Sequence, residues 1–233
     1  MSCARRPWKP RATVNDDQVF RPSIHVLSGT NGAGKSSVAG ATLRKRGADY
    51  FNPDEVTRKL VAENPGITLE QANSEAWLEG KRLLERAIAE RLDLAFETTL
   101  GGKTITALLE RAAESGLDVR VWYVGLASPE LHIARVRARV AKGGHDIPEA
   151  KIRERYDRSH SNLVRLLPKL TSLRVYDNSE EGDPAKEGPM PKLILHVEDG
   201  RIVETCPMDE VPRWARPIIL AALRLSRRRS EKS

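Results

Sequence analysis

The chain has little cysteine: two residues, Cys3 and Cys206, far apart and with no Cys-x-x-Cys spacing. That excludes a disulfide framework and a cysteine zinc site, and makes a reducing, cytoplasmic setting the expectation. No run approaches the eighteen or more apolar residues of a membrane span, and the N-terminal residues lack the apolar core of a secretory signal. Internal repeats are absent too. The body of the chain also lacks an excess of either charge. The net charge is +7, yet residues 1–20 hold four Lys/Arg against two Asp/Glu and residues 213–233 hold seven against one, which leaves 28 positive and 29 negative residues between them. A nucleic-acid-binding domain carries its basic charge on a face of the folded body, so nucleic acid is disfavoured as a partner.

What is present suffices for one core: 233 residues, 39% of them apolar. A single kinase-like domain is expected over residues 21–225, after a flexible basic leader (1–20) and before a basic tail (226–233). The run Ile24–Ser28 reads as a buried strand, and the glycine-rich turn after it leads into a helix from about Lys35 to Arg46. Tyr50 and Phe51 suggest a second strand, closed by Asn52-Pro53-Asp54, where Asp54 can cap the next helix. Thr68 to Arg91 shows a helical apolar face. Further strands are expected at Leu94–Phe96, Val119–Val124 and Leu173–Tyr176, with helices between them. This alternation predicts an α/β, three-layer P-loop NTPase fold with a mostly parallel, five-stranded sheet. Beyond it, Leu193–Val197 and Arg201–Glu204 flank Asp199-Gly200 as a small hairpin, and a helix from about Pro212 to Leu225 follows.

Gly29-Thr30-Asn31-Gly32-Ala33-Gly34-Lys35-Ser36 satisfies GxxxxGK[ST] at every fixed position and lies between a predicted strand and a predicted helix. Such glycines turn backbone N–H groups inward around a phosphate, at the positive end of the helix. Lys35 can neutralise β- and γ-phosphate charge. Ser36 is the expected Mg²⁺ ligand, and Ser37 extends the cradle for ATP or GTP.

In a parallel sheet the ligands sit beyond the carboxyl ends of the strands. Asp54 and Glu55 stand after the second strand, with Arg58 one helical turn on. Asp54 can take the proton of an attacking hydroxyl, and its alternative role is a helix cap. Glu97, Thr98 and Thr99 follow the third strand and precede Gly101-Gly102. Glu97 can orient a magnesium-bound water or bind the acceptor, as can Thr98. Asp177-Asn178-Ser179 follow the fifth strand. Arg135, Arg137 and Arg139, then Gly143-Gly144-His145-Asp146-Ile147-Pro148, then Arg153, Arg155 and Arg158 read as two helices around a glycine hinge, a lid over about 135–160. Arg135 with Arg139, and Arg155 with Arg158, share helix faces and can present paired guanidiniums to phosphate oxygens.

Taken together, the P-loop, Asn52-Pro53-Asp54-Glu55, Phe96-Glu97-Thr98-Thr99-Leu100 and the Gly143–Pro148 segment with Arg155-Tyr156 resemble the zeta-toxin family of P-loop kinases over roughly Ile24 to Ser179. The resemblance implies ATP-dependent phosphorylation of a nucleotide sugar, UDP-N-acetylglucosamine, and an antitoxin protein as partner. It also implies Asp54 as the acceptor-activating aspartate, Glu97 and Thr98 as acceptor contacts, and Arg139 and Arg155 as lid arginines. A second magnesium carboxylate at the end of a long apolar strand is missing unless Glu97 fills that place. Two alternatives remain open from the residues alone: an ATP-driven switch or binding module, and a polynucleotide 5′-kinase, which would want a basic groove running to Arg227–Arg229.

Overall fold

The computed structural model describes residues 21–35, 50–144, 146–180 and 191–231. The expected leader, most of the helix expected over Lys35–Arg46, and the residues Ser36, Ser37 and His145 lie outside that set. In chain order the described elements are β1 (Ser23–Ser28), β2 (Tyr50–Phe51), α1 (Pro53–Glu63), α2 (Leu69–Glu90), β3 (Leu94–Thr98), α3 (Lys103–Glu114), β4 (Asp118–Gly125) and α4 (Pro129–Val140). They continue as α5 (Glu149–Leu166), β5 (Ser172–Asp177), β6 (Lys192–Glu198), β7 (Arg201–Thr205) and α6 (Arg216–Ser230).

The strands form one seven-stranded sheet in the order β2-β3-β1-β4-β5-β6-β7. The first five are parallel, whereas β6 and β7 run antiparallel. The expected five-stranded sheet is therefore corrected to seven: the C-terminal hairpin is not an appendage, because β6 pairs along the whole of β5, Ser172 opposite Glu198 to Asp177 opposite Lys192. Its turn has positive φ at both Asp199 and Gly200, the geometry whose twist suits a two-residue hairpin. The C-terminal helix also runs past its expected end, so that Arg227, Arg228 and Arg229 lie on its last turns.

Alternate residues of the strands supply the core. Ile24 and Val26, Phe96, Val119, Val121 and Tyr123, and Leu173 and Val175 pack in one cluster with Leu84 and Ala87 of α2, Leu109 of α3, Leu163 of α5 and Ile218 of α6. Burying each large aliphatic side chain stabilises the fold by about 1.5–3 kcal/mol. β1 sits between β3 and β4, which leave it on either side, so the crevice beyond its carboxyl end is the topological switch point where such sheets bind ligands.

Candidate functional site

The phosphate loop fills that crevice. Gly29 has φ +140°, and a Cβ there would lie 2.1 Å from the Val124 carbonyl oxygen; Gly34 has φ +82°, and a Cβ there would lie 2.5 Å from Asn178 Nδ2. Any side chain at either place would force the loop off β4 or off the end of β5. Asn178 Nδ2 donates to the Ala33 carbonyl at 2.9 Å, which braces the loop from β5. His132 in the first turn of α4 braces it from the other side, through Nδ1 at 2.8 Å from the Asn31 carbonyl. Because that partner only accepts, Nδ1 carries a proton. Burial drives the His132 pKa down to about 4, against the opposing pull of that hydrogen bond and with the help of the Lys35 charge.

Lys35 is buried, donates to Gly29 O at 2.8 Å and forms an ion pair with Glu97 at 3.3 Å. Glu97 ends β3 and is held further by Tyr50, whose hydroxyl donates at 2.6 Å, and by Asn52 Nδ2 at 3.3 Å. The edge strand β2 and the residue that follows it thus supply two supports for one carboxylate. Asn52 also works on the other side of its amide, where Oδ1 accepts from the backbone of Asp54 and Glu55 and caps α1. The capping role expected as an alternative for Asp54 is therefore corrected. An extended residue before Pro53 already points its amide at the first N–H groups of the helix, which leaves the Asp54 carboxylate out of the cap.

Asp54 instead faces the lid, with Arg139 Nη1 at 3.8 Å. Arg58 lies on the exposed side of α1 and, among the described residues, reaches the Asp54 carbonyl at 3.4 Å. Thr98 Oγ1 accepts from Leu100 N at 3.1 Å and Thr99 Oγ1 from Gly101 N at 3.4 Å, so both hydroxyls shape the turn that follows Glu97. That turn is anchored to α5: Tyr123 hydroxyl lies 3.0 Å from Ser159 Oγ, Ser159 donates to Thr99 O at 2.8 Å, and Asn162 donates to Leu100 O at 2.8 Å. Since Ser159 spends its proton on Thr99, Tyr123 is the donor to Ser159, and burial raises the phenol pKa.

Of the lid arginines, the structure brings two to the mouth of the crevice. Arg139 approaches Asp54, and Arg155 Nη1 donates to Asn31 Oδ1 at 2.8 Å. The paired presentation expected of Arg155 with Arg158, and of Arg135 with Arg139, does not form. Arg158 pairs with Glu154 on its own helix, and Arg135 turns to the Glu180 carbonyl, because each finds an oxygen nearer than the site. Arg137 and Arg153 pair with Glu149 and Glu130, tying the two lid helices together. Sequence reasoning missed Tyr50 and His132, which carried no signal; it singled out Asn52 and Asn178 beyond the carboxyl ends of strands but gave neither a role.

The expected magnesium ligand, Ser36, falls outside the described residues; near the phosphate loop, Glu97 pairs with Lys35 and Asp54 with Arg139, and carboxylate oxygens are donors of the kind a hard cation takes. Among the described residues no group of three or more His, Cys, Asp or Glu makes a metal cluster, and no helix is long and apolar enough to cross a membrane.

Comparison with known proteins agrees with this arrangement. A protein of Methanocella arvoryzae named cytidylate kinase is 31% identical over 170 residues, covering 66% of this chain and 84% of the relative. An uncharacterised protein of Haemophilus influenzae is 33% identical over 132 residues, covering 55% of this chain and 88% of the relative. Among solved structures, a chain of the AvrRxo1-ORF1:AvrRxo1-ORF2 complex, determined with sulphate ions, superposes with a TM-score of 0.62 at 18% identity. The similarity covers 87% of this chain but 64% of that one, less than two thirds of its length. The same complex with ATP gives a TM-score of 0.61. These structural likenesses show a shared fold. The sequence model of the zeta-toxin family matches residues 9–182, three quarters of the chain, and with the P-loop at the switch point it shows that the chain belongs to the zeta-toxin family of P-loop kinases.

Proposed function

We propose that this chain is a magnesium- and ATP-dependent phosphotransferase whose acceptor is a hydroxyl of a small molecule, a nucleotide sugar such as UDP-N-acetylglucosamine. The observation that carries the reading is the convergence of two lid guanidiniums on the P-loop crevice: Arg155 on the loop residue Asn31, and Arg139 on Asp54.

In this reading Lys35 leaves Glu97 for the β- and γ-phosphates, and Glu97 turns to the acceptor side, still held by Tyr50 and Asn52. Asp54 accepts the proton of the acceptor hydroxyl as its oxygen bonds to the γ-phosphorus; the bond from that phosphorus to the bridging oxygen breaks, and ADP leaves. Arg139 and Arg155 stabilise the charge on the transferring oxygens. Magnesium, when bound with the nucleotide, neutralises phosphate charge, with Ser36 as its expected protein ligand. Thr98 and Arg58 flank the acceptor side. The family also supports an antitoxin protein as partner, as AvrRxo1-ORF1 is solved in complex with AvrRxo1-ORF2.

The test is a transfer assay with purified protein, Mg²⁺ and ATP against nucleotide sugars and nucleoside monophosphates, cytidylate included, with Lys35→Ala as the blank. Phosphorylated nucleotide sugar that disappears in the blank is expected. Product from a monophosphate alone would reassign the acceptor, and ATP hydrolysis without any acceptor product would point to the switch.

A further inference from the structure

One residue of the phosphate cradle is held from both lid helices at once. Asn31 is 6% exposed. Its carbonyl takes the proton of His132 on α4, and its side-chain Oδ1 takes a proton of Arg155 on α5, each at 2.8 Å. The lid helices come close enough to leave little slack. A Cβ on Gly32, the next residue of the loop, would lie 2.7 Å from the His132 carbonyl oxygen, and a Cβ on Gly101 would lie 2.8 Å from Arg155 Cγ. The Arg155 stem is thus laid across Gly101 with its head on Asn31.

A guanidinium offers five N–H donors. Among the described residues, the one hydrogen-bond acceptor of Arg155 is the neutral amide oxygen of Asn31, whereas Arg137, Arg153 and Arg158 of the same lid each have a carboxylate. Burial lowers the Arg155 pKa, opposed by the nearby charge of Asp54. A desolvated cation with a fixed direction and unused donors is a receptor for an anion, and the anion that the adjoining loop is built for is a phosphate.

We propose that Asn31 is a positioning residue that aims Arg155 at the terminal phosphate of a nucleotide seated in the P-loop, while His132 fixes the Asn31 backbone in place. The role of Asn31 rests on the nucleotide-site half of the function proposed above and is independent of which acceptor is phosphorylated. With Arg155 aimed in this way at the terminal phosphate, Asn31 acts on the difference between a triphosphate and a diphosphate. A residue that merely shaped the loop would act on both alike.

The experiment is calorimetric titration of the full chain, with Mg²⁺, by a non-hydrolysable ATP analogue and by ADP. The proteins are wild type, Asn31→Ala, Arg155→Ala and the double variant, each first checked for an intact unfolding transition. Each single substitution is expected to lower the triphosphate-over-diphosphate preference about tenfold, the scale of one hydrogen bond to a charged group, beyond any weakening that both nucleotides share. The double variant should be no worse than Arg155→Ala, since Asn31 works through Arg155. Additive losses would make Asn31 an independent phosphate ligand, and equal weakening toward both nucleotides would make it a structural residue; either overturns the proposal. Should Asn31→Ala fail to fold, Asn31→Ser keeps a polar loop residue while withdrawing the oxygen from Arg155, and an unchanged preference there refutes it. A wild-type chain that binds neither nucleotide would instead overturn the P-loop reading itself.

Discussion

Acidification provides a quantitative test of how the lid and the loop are packed. His132 is buried and His160 partly buried, and desolvation brings each from an ordinary 6.5 down to about 4; the His160 shift is opposed by Asp157, and the His132 shift is helped by Lys35, His160 and Arg135. His132 grips the P-loop, while His160 stacks on Trp214 at 5.3 Å and meets Tyr156 edge-on at 4.6 Å. In both, the folded-state value lies below the unfolded one, so the unfolded chain takes up the proton first. The stability they contribute is therefore complete above about pH 6.5 and is lost as pH falls toward about 4. At pH 5 each histidine should cost about 2 kcal/mol, with a slope of about 1.2 kcal/mol per pH unit. His160→Phe keeps the aromatic stack and removes one titration. Denaturant unfolding from pH 7.5 to pH 4.5 should show the wild type losing stability faster than His160→Phe, by about 2 kcal/mol at pH 5 relative to neutral pH. The acidic carboxylates act equally in both proteins and cancel in the difference. Parallel curves would mean that His160 is protonated in the fold or open to water, and would refute the packing described for α5.

Other perturbations separate roles that share a few residues. Among the described residues, Glu97→Gln leaves buried Lys35 with the Gly29 carbonyl alone; since the Tyr50 hydrogen bond survives, a loss of about 2–3 kcal/mol is expected in denaturant unfolding. Because a phosphate replaces the lost carboxylate, ATP should raise the melting temperature of Glu97→Gln more than that of wild type, and an equal rise would count against the Lys35 exchange. Asp54→Asn should cut kcat by about 10²-fold or more in the transfer assay while ATP affinity and stability hold, as a lost general base does. Asn52→Ala, by contrast, should cost about 1 kcal/mol of stability through the lost cap. If the two variants behave alike, base and cap have been wrongly divided.

The P-loop was legible because its chemistry is local: eight consecutive residues make the cradle, and the flanking strand could be read from its apolar run. Arg139 and Arg155 stood out only through the family resemblance, since by spacing Arg135 and Arg158 looked as good. Distinguishing them requires knowing that Glu154 lies beside Arg158 and that the Glu180 carbonyl comes within reach of Arg135. The supports were illegible for the same reason. Tyr50 reaches Glu97 across 47 residues, His132 reaches Asn31 across 101 and Asn178 reaches Ala33 across 145. No periodicity encodes such contacts; they exist only once β2, α4 and β5 are assembled around the crevice. The hairpin was readable from Asp199-Gly200, but its pairing with β5 was not, because a turn residue fixes which strands are neighbours within the hairpin and says nothing of the strand beyond.

The assembled contacts place an unusual demand on α5. Its lower half is rooted in the core through Leu163 and Leu166, and from Ser159 and Asn162 it holds the turn at Thr99 and Leu100 that follows Glu97. One turn above Ser159, the same helix carries Arg155 to Asn31. A helix anchored this way cannot swing as a whole without dragging the Glu97 turn with it, and α4 is held too, by His132 on the P-loop at its first turn and by the Arg137–Glu149 and Arg153–Glu130 pairs to α5. α4 carries Arg139 and α5 carries Arg155. Arg155 is thus presented from the middle of a helix rooted in the core, and Arg139 from the last turn of α4, beyond the His132 brace, so the two guanidiniums are set by separate anchors on either side of the crevice.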